Sequence, residues 1–167
     1  MIADVLHFSF TVSDLDEAVD WCTRVLGLEL VHRQRQDNAY TRIQVGMPDA
    51  VLEVAQLAVP GVPPARSTHM LELVEYVSPR GLGPRPLPTN DAGVAHLALM
   101  VTDIHSRYER MREEGVEFRN PPVRITEGAN EGGWACYLHG PDGITFELLQ
   151  PSTARLASLG LEPEHDQ

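Results

Sequence analysis

Residues 96–104 read HLALMVTDI, and residues 7–15 read HFSFTVSDL. In both stretches a histidine is followed by valine at the fifth place, aspartate at the seventh and leucine or isoleucine at the eighth. Both alternate in polarity. Phe8, Phe10 and Val12 point one way, and His7, Ser9 and Thr11 the other; His96 shares a side with Ala98 and Met100, opposite Leu97, Leu99 and Val101. A period of two with one apolar side predicts a strand lying on a core. The same pattern written twice in 167 residues predicts an internal repeat.

The residues after each copy repeat as well. Asp14 with Glu17 makes a capping-box pattern, and Leu15, Ala18, Cys22 and Val25 recur at helical spacing before Gly27 supplies a stop. In the second copy Thr102 or Asp103 caps a helix that carries Ile104, Tyr108 and Met111 on one side and ends at Gly115. LELVHRQ (28–34), AVLEVAQLAV (50–59) and HMLELVEYV (69–77) read as strands, VPGVPP (59–64) as a loop, and 38–46 as ambiguous, with a short helix one reading. In the second half GVEF (115–118) answers GLEL (27–30), and a strand is expected near 134–138 after the Gly-rich TEGANEGG (126–133). GPDG (140–143) is a tight turn before the last strand, ITFELLQ (144–150). The expected class is α+β, with two paired βαβββ modules whose curved mixed sheets enclose a cleft. Residues 1–77 form the first module, the Pro- and Gly-rich 78–91 a linker, 92–151 the second module and 152–167 a polar tail with at most one helical turn.

Composition narrows the function. A net charge of −11 argues against nucleic acid, which demands a basic face. All 13 basic residues are arginine, so lysine Schiff-base chemistry is excluded, and an anionic substrate would have to meet Arg, His or backbone N–H groups. No apolar run approaches the roughly 20 residues that span a bilayer, and MIADVLHF shows no signal-peptide pattern. Two cysteines, Cys22 and Cys136, make no disulfide framework, so a reduced cytoplasmic setting is expected.

Four polar residues stand where apolar ones belong. His7 and His96 open the first strand of each half, and Glu72 and Glu147 sit between apolar neighbours in the last. Strand parity turns all four away from the helix. A carboxylate so placed costs several kcal/mol unless paired or metal-bound. Two imidazoles and two carboxylates suit one divalent cation such as Fe, Mn, Co, Ni or Zn. Glu75 is a near rival of Glu72, but its parity puts it on the other face, and Gln150 stands at its place in the second half. His69 and His139 read as surface residues at strand ends. His32, His105 and His165 have no repeat partner, and His105 reads as solvated. Cys22 reads as a core residue, whereas Cys136 is a candidate for the edge of the cleft. The 126–133 segment reads either as a mobile flap over the cleft or as a plain hairpin loop.

HFSFTVSDLDEAVDWCTRVLGLEL, LELVEY, GVAHLALMVTDI and GPDGITFELLQP together resemble the vicinal oxygen chelate superfamily, the glyoxalase/bleomycin resistance/dioxygenase fold, over residues 5–151. The resemblance implies paired βαβββ modules, a metal in the cleft held by His7, Glu72, His96 and Glu147, a small-molecule substrate, and often a homodimer. Ring-cleaving dioxygenases and fosfomycin-type transferases of the superfamily lack a ligand at the place of Glu72. Four filled positions resemble instead the glyoxalase I and methylmalonyl-CoA epimerase branch. That implies a metal-dependent isomerase, epimerase or lyase acting on a small oxygenated metabolite through a metal-stabilised enediolate, with Glu147 or Glu72 as the base. The alternatives are an extradiol-type dioxygenase and a drug-binding resistance protein. Two positions depart from bacterial glutathione-dependent glyoxalase I: Thr11 stands where an Arg follows the first ligand, and EYVSPRG lacks the expected Asn. Arg80 and Arg85 are candidates for a basic rim facing a CoA-type substrate.

Overall fold

The computed structural model describes residues 1–62, 70–85 and 87–161. His69, His165, Pro86, residues 63–64 of the expected loop and the last six residues of the tail lie outside them. The chain divides into two units, Met1–Pro86 and Leu87–Gln167. Each holds a four-stranded mixed sheet that does not close on itself, with helix packed on one face.

The first unit runs β1 (His7–Val12), α1 (Leu15–Arg24), β2 (Glu29–Gln36), α2 (Ala39–Val45), β3 (Val51–Ala58) and β4 (Met70–Ser78). Its strand order is β1-β4-β3-β2, with β1 parallel to β4 and the other pairs antiparallel. The ambiguous segment resolves as a helix because both ends are capped: Asn38 accepts from the Thr41 N–H, and Gly46 closes the last turn in the left-handed region.

The second unit runs β5 (His96–Met100), α3 (Ile104–Glu113), β6 (Val123–Arg124), β7 (Trp134–His139), β8 (Thr145–Gln150) and α4 (Thr153–Ser158), in the order β5-β8-β7-β6. The order, the parallel first–last pair and the helix after the first strand match the first unit. The strand expected at GVEF is not continuous. Phe118 makes one bridge to Leu138, and regular pairing resumes only at Val123–Arg124. Pro121 and Pro122 are the cause, since neither has an N–H for the ladder. Asn120 covers part of the gap by accepting from the Tyr137 N–H at 3.1 Å through its side chain.

The helices dock alike in both units. Asp14 and Asp103 cap α1 and α3, accepting from Glu17 N at 3.0 Å and Ser106 N at 3.1 Å. Leu15 and Ile104, the first helical residues, are fully buried. Their N–H groups, which no helical carbonyl reaches, donate to Glu75 Oε2 at 3.0 Å and Gln150 Oε1 at 2.8 Å. Glu75 and Gln150, which stand at matching places in the two halves, therefore share one structural task. Glu75 also takes Arg80 Nη2 at 3.1 Å, so Arg80 serves this junction rather than a free basic rim.

The Gly-rich segment is a hydrogen-bonded hairpin loop between β6 and β7, closed by Ile125 N to Gly133 O and Gly132 N to Ile125 O, both at 2.9 Å. A Cβ on Gly133 would lie 2.3 Å from the backbone oxygen of Gln150, which leaves no room for a side chain. Gly133→Ala is expected to cost roughly 1–3 kcal/mol by overpacking, read as a lowered denaturant midpoint at unchanged slope.

The Ser106 backbone and hydroxyl bonds hold the Asp103 carboxyl below its ordinary value. The depressed folded value sets the sign: the stabilisation is whole above the unfolded aspartate value near 4 and fades as pH falls through the folded one. Asp103→Ala is expected to lose about 1 kcal/mol at neutral pH. Urea titrations of both proteins from pH 7 down to pH 2 check this, the difference between them shrinking at the acid end.

Candidate functional site

The parallel pairing of first and last strand positions the polar residues. In the first sheet Ser9 lies opposite Glu72; in the second, Ala98 lies opposite Glu147. His7 stands two residues before Ser9 and His96 two before Ala98, so each histidine is the diagonal same-face neighbour of its glutamate. The register is identical in the two units. His7 Nε2 lies 3.6 Å from Glu72 Oε1, and His96 Nε2 lies 3.2 Å from Glu147 Oε2. The carboxylates are the drier partners, with side chains 17% and 14% exposed against 35% and 45% for the imidazoles.

Nitrogen and oxygen donors about 2.1 Å from one ion and 90–110° apart lie roughly 3.0–3.4 Å from each other. Each pair is close to that spacing before any ion is considered, and a largely buried carboxylate beside an imidazole gains from a cation. The residues therefore fit a divalent metal. Among the described residues no group of three or more His, Cys, Asp or Glu is gathered into a ready-made cage. The structure brings together each His–Glu pair within its own unit.

Around the pairs the two faces differ. Gln56 lies opposite Glu72 and donates Nε2 to Glu72 Oε2 at 3.1 Å. Tyr137 lies opposite Glu147, its ring 5.2 Å from that of His96. Burial and then the Glu147 charge push the Tyr137 phenol above its usual value. His32 lies opposite Gln56 at the far edge of the first sheet. Sequence reading passed over Gln56 and Tyr137. The available signal was parity: each is a polar residue between apolar or small neighbours in the strand next to a glutamate.

Other candidates fall elsewhere. Cys136 does not edge this face. It pairs with Leu148 on the core side and is 1% exposed, because parity sets it opposite to Tyr137. Burial, then Glu147, pushes its thiol up to about 11; burial alone pushes that of Cys22 up to about 12. His105 is exposed, but its ring meets Trp134 edge-on at 4.7 Å rather than standing free in solvent.

The family model of the Glyoxalase/Bleomycin resistance protein/Dioxygenase superfamily matches residues 4–148. The chain belongs to this superfamily. Its members usually bind a divalent metal. Among curated relatives, this superfamily member is 35% identical to a 2-epi-5-epi-valiolone epimerase from Actinomyces, over 87% of this chain and 78% of that one. It is 27% identical to a lactoylglutathione lyase of Arabidopsis thaliana, over 87% of this chain but only 43% of the larger plant protein. Among solved structures, a glyoxalase family protein from Bacillus cereus shares the fold with a TM-score of 0.75 at 22% identity, over 91% of this chain and 96% of that chain. Among the described residues, no helix is long and apolar enough to cross a membrane.

Buried thiols with raised values are poor nucleophiles. Neither cysteine is expected to react with a neutral-pH disulfide reagent in the folded protein, and both should react within minutes in guanidinium. A rapid native phase would show that one of them reaches solvent.

Proposed function

We propose that this superfamily member is a metal-dependent epimerase, or a closely related isomerase or lyase, acting at the carbon next to a carbonyl in a small oxygenated metabolite. The observation that carries the reading is the His–Glu pair set in the same register in both sheets. The epimerase and lyase names of its relatives support it. Under this reading His7, Glu72, His96 and Glu147 are metal ligands. The bound ion supplies Lewis-acid polarisation of the substrate carbonyl. The chain's own residues do the rest. His7 and His96 contribute neutral imidazole nitrogens and hold the neighbouring carboxylates in place. Glu147 takes the proton from the carbon beside the carbonyl, and its carboxylate, 3.2 Å from the His96 imidazole, is suited to this because among the described residues it lacks an amide hydrogen bond like that from Gln56 to Glu72. Glu72, one oxygen of which accepts from Gln56, is the more firmly held carboxylate and serves as a ligand, while Glu147 gives back the proton it took, on the opposite face of the carbon in an epimerisation.

Two measurements test the reading. Metal analysis of protein prepared without chelator is expected to give about one divalent ion per chain, falling sharply in His96→Ala. Exchange of the α-proton of hydroxy ketones in D2O, followed by NMR, is expected to fall 10²–10⁴-fold in Glu147→Gln while the metal content is largely kept. A metal-free native protein, or oxygen uptake with catechols in place of proton exchange, would overturn the proposal.

A further inference from the structure

The second sheet carries a cation that the proposed chemistry leaves unused. Thr145 lies directly opposite His96 on one side and His139 on the other. It stands two residues before Glu147, so its side chain shares that residue's face. It is 3% exposed, and its hydroxyl accepts from Arg119 Nη2 at 3.2 Å. The backbone fixes which way Arg119 points. Phe118 bridges Leu138 and packs its ring 4.5 Å from Tyr108 of α3, on the helix side. Arg119, the next residue, turns to the face of Thr145, Tyr137 and Glu147, and its N–H to Tyr137 O at 2.8 Å holds it there.

Arg119 is set apart by its place on the face of Thr145 and Glu147 rather than by its lack of a carboxylate partner, which Arg124 and Arg155 share among the described residues. Arg24, Arg33, Arg35, Arg42, Arg80 and Arg112 each pair with an aspartate or glutamate. Arg119 has a hydroxyl partner and, among the described residues, no carboxylate one, although the chain carries 24 acidic residues and Glu117 is two residues away. A guanidinium left unneutralised beside a His–Glu pair keeps most of its fork free for planar oxygen anions.

We propose that Arg119 anchors an anionic group of the substrate, a carboxylate or a phosphate, on the face that carries His96 and Glu147. The proposal rests on the carbonyl-substrate reading above and narrows it to anionic hydroxy carbonyl compounds. Arg119 is then a specificity-determining residue that moves no proton.

Dihydroxyacetone phosphate and dihydroxyacetone differ by one phosphate, and 3-hydroxypyruvate supplies the carboxylate arm. Calorimetric titration of the full-length protein is expected to give at least tenfold tighter binding of one anionic compound than of dihydroxyacetone, weakening with added salt. Whichever anion shows the preference identifies the group. Arg119→Ala should erase the preference and leave dihydroxyacetone affinity within about twofold. Arg119→Gln keeps a donor for Thr145 without the charge and should lose the preference equally, while Arg119→Lys keeps part of it; near-UV circular dichroism verifies that each variant is folded. Equal affinity for neutral and anionic compounds, or a preference untouched in both Arg119→Ala and Arg119→Gln, overturns the proposal. Proton exchange is read separately: exchange without anion preference sinks the anchor alone, and anion preference without exchange sinks the epimerase reading and leaves the anchor as a binding site.

Discussion

The parallel ladder between the first and last strands of each unit is the constraint on which everything else turns. It sets one histidine diagonal to one glutamate. It also brings the end of the last strand to the start of the helix that succeeds the first. There Glu75 or Gln150 satisfies a buried N–H at the helix start. A slip of one residue would turn the glutamate into the core, strip that N–H of its acceptor and reverse the apolar face of the strand. The polar face and the docking of the helix therefore cannot be lost separately.

The first strands, both major helices and the last strands were legible because alternation, aspartate caps and terminal glycines all agreed there. Gly27 and Gly115 hold φ of 72° and 85° at the helix ends, where a side chain would be strained. The second strand of the second half was not legible in its extent. Apolar Val116 and Phe118 suggested a strand, and the two prolines just beyond outweighed them. Each His–Glu pair within a unit could be read from parity. Gln56 and Tyr137 carry the same parity signal, but choosing them from among the other polar strand residues requires knowing which strand neighbours which. Arg119 was hidden for a related reason: only the irregular pairing around Phe118 reveals which face it takes.

The two copies have kept geometry more strictly than chemistry. The acceptor at the helix start is charged in one copy and neutral in the other. The cross-strand neighbour of the glutamate is a donor amide in one and an aromatic ring in the other. A position whose task is to place an oxygen tolerates either residue. A position that shapes the surroundings of a carboxylate does not, and there the copies have diverged into a firmly hydrogen-bonded glutamate and a freer one.

The proline-interrupted border strand has a consequence for self-association. A long border strand presents a row of unpaired amides that can recruit a strand from another molecule. On the second sheet that row is cut to two residues, Val123 and Arg124, with prolines before them. The first sheet keeps an eight-residue border but fills it with His32, Arg33, Gln34, Arg35 and Gln36. Having inherited the same exposed margin, the two copies protect it from amyloid-like growth by different means, one by withholding backbone donors and the other by solvating the rim.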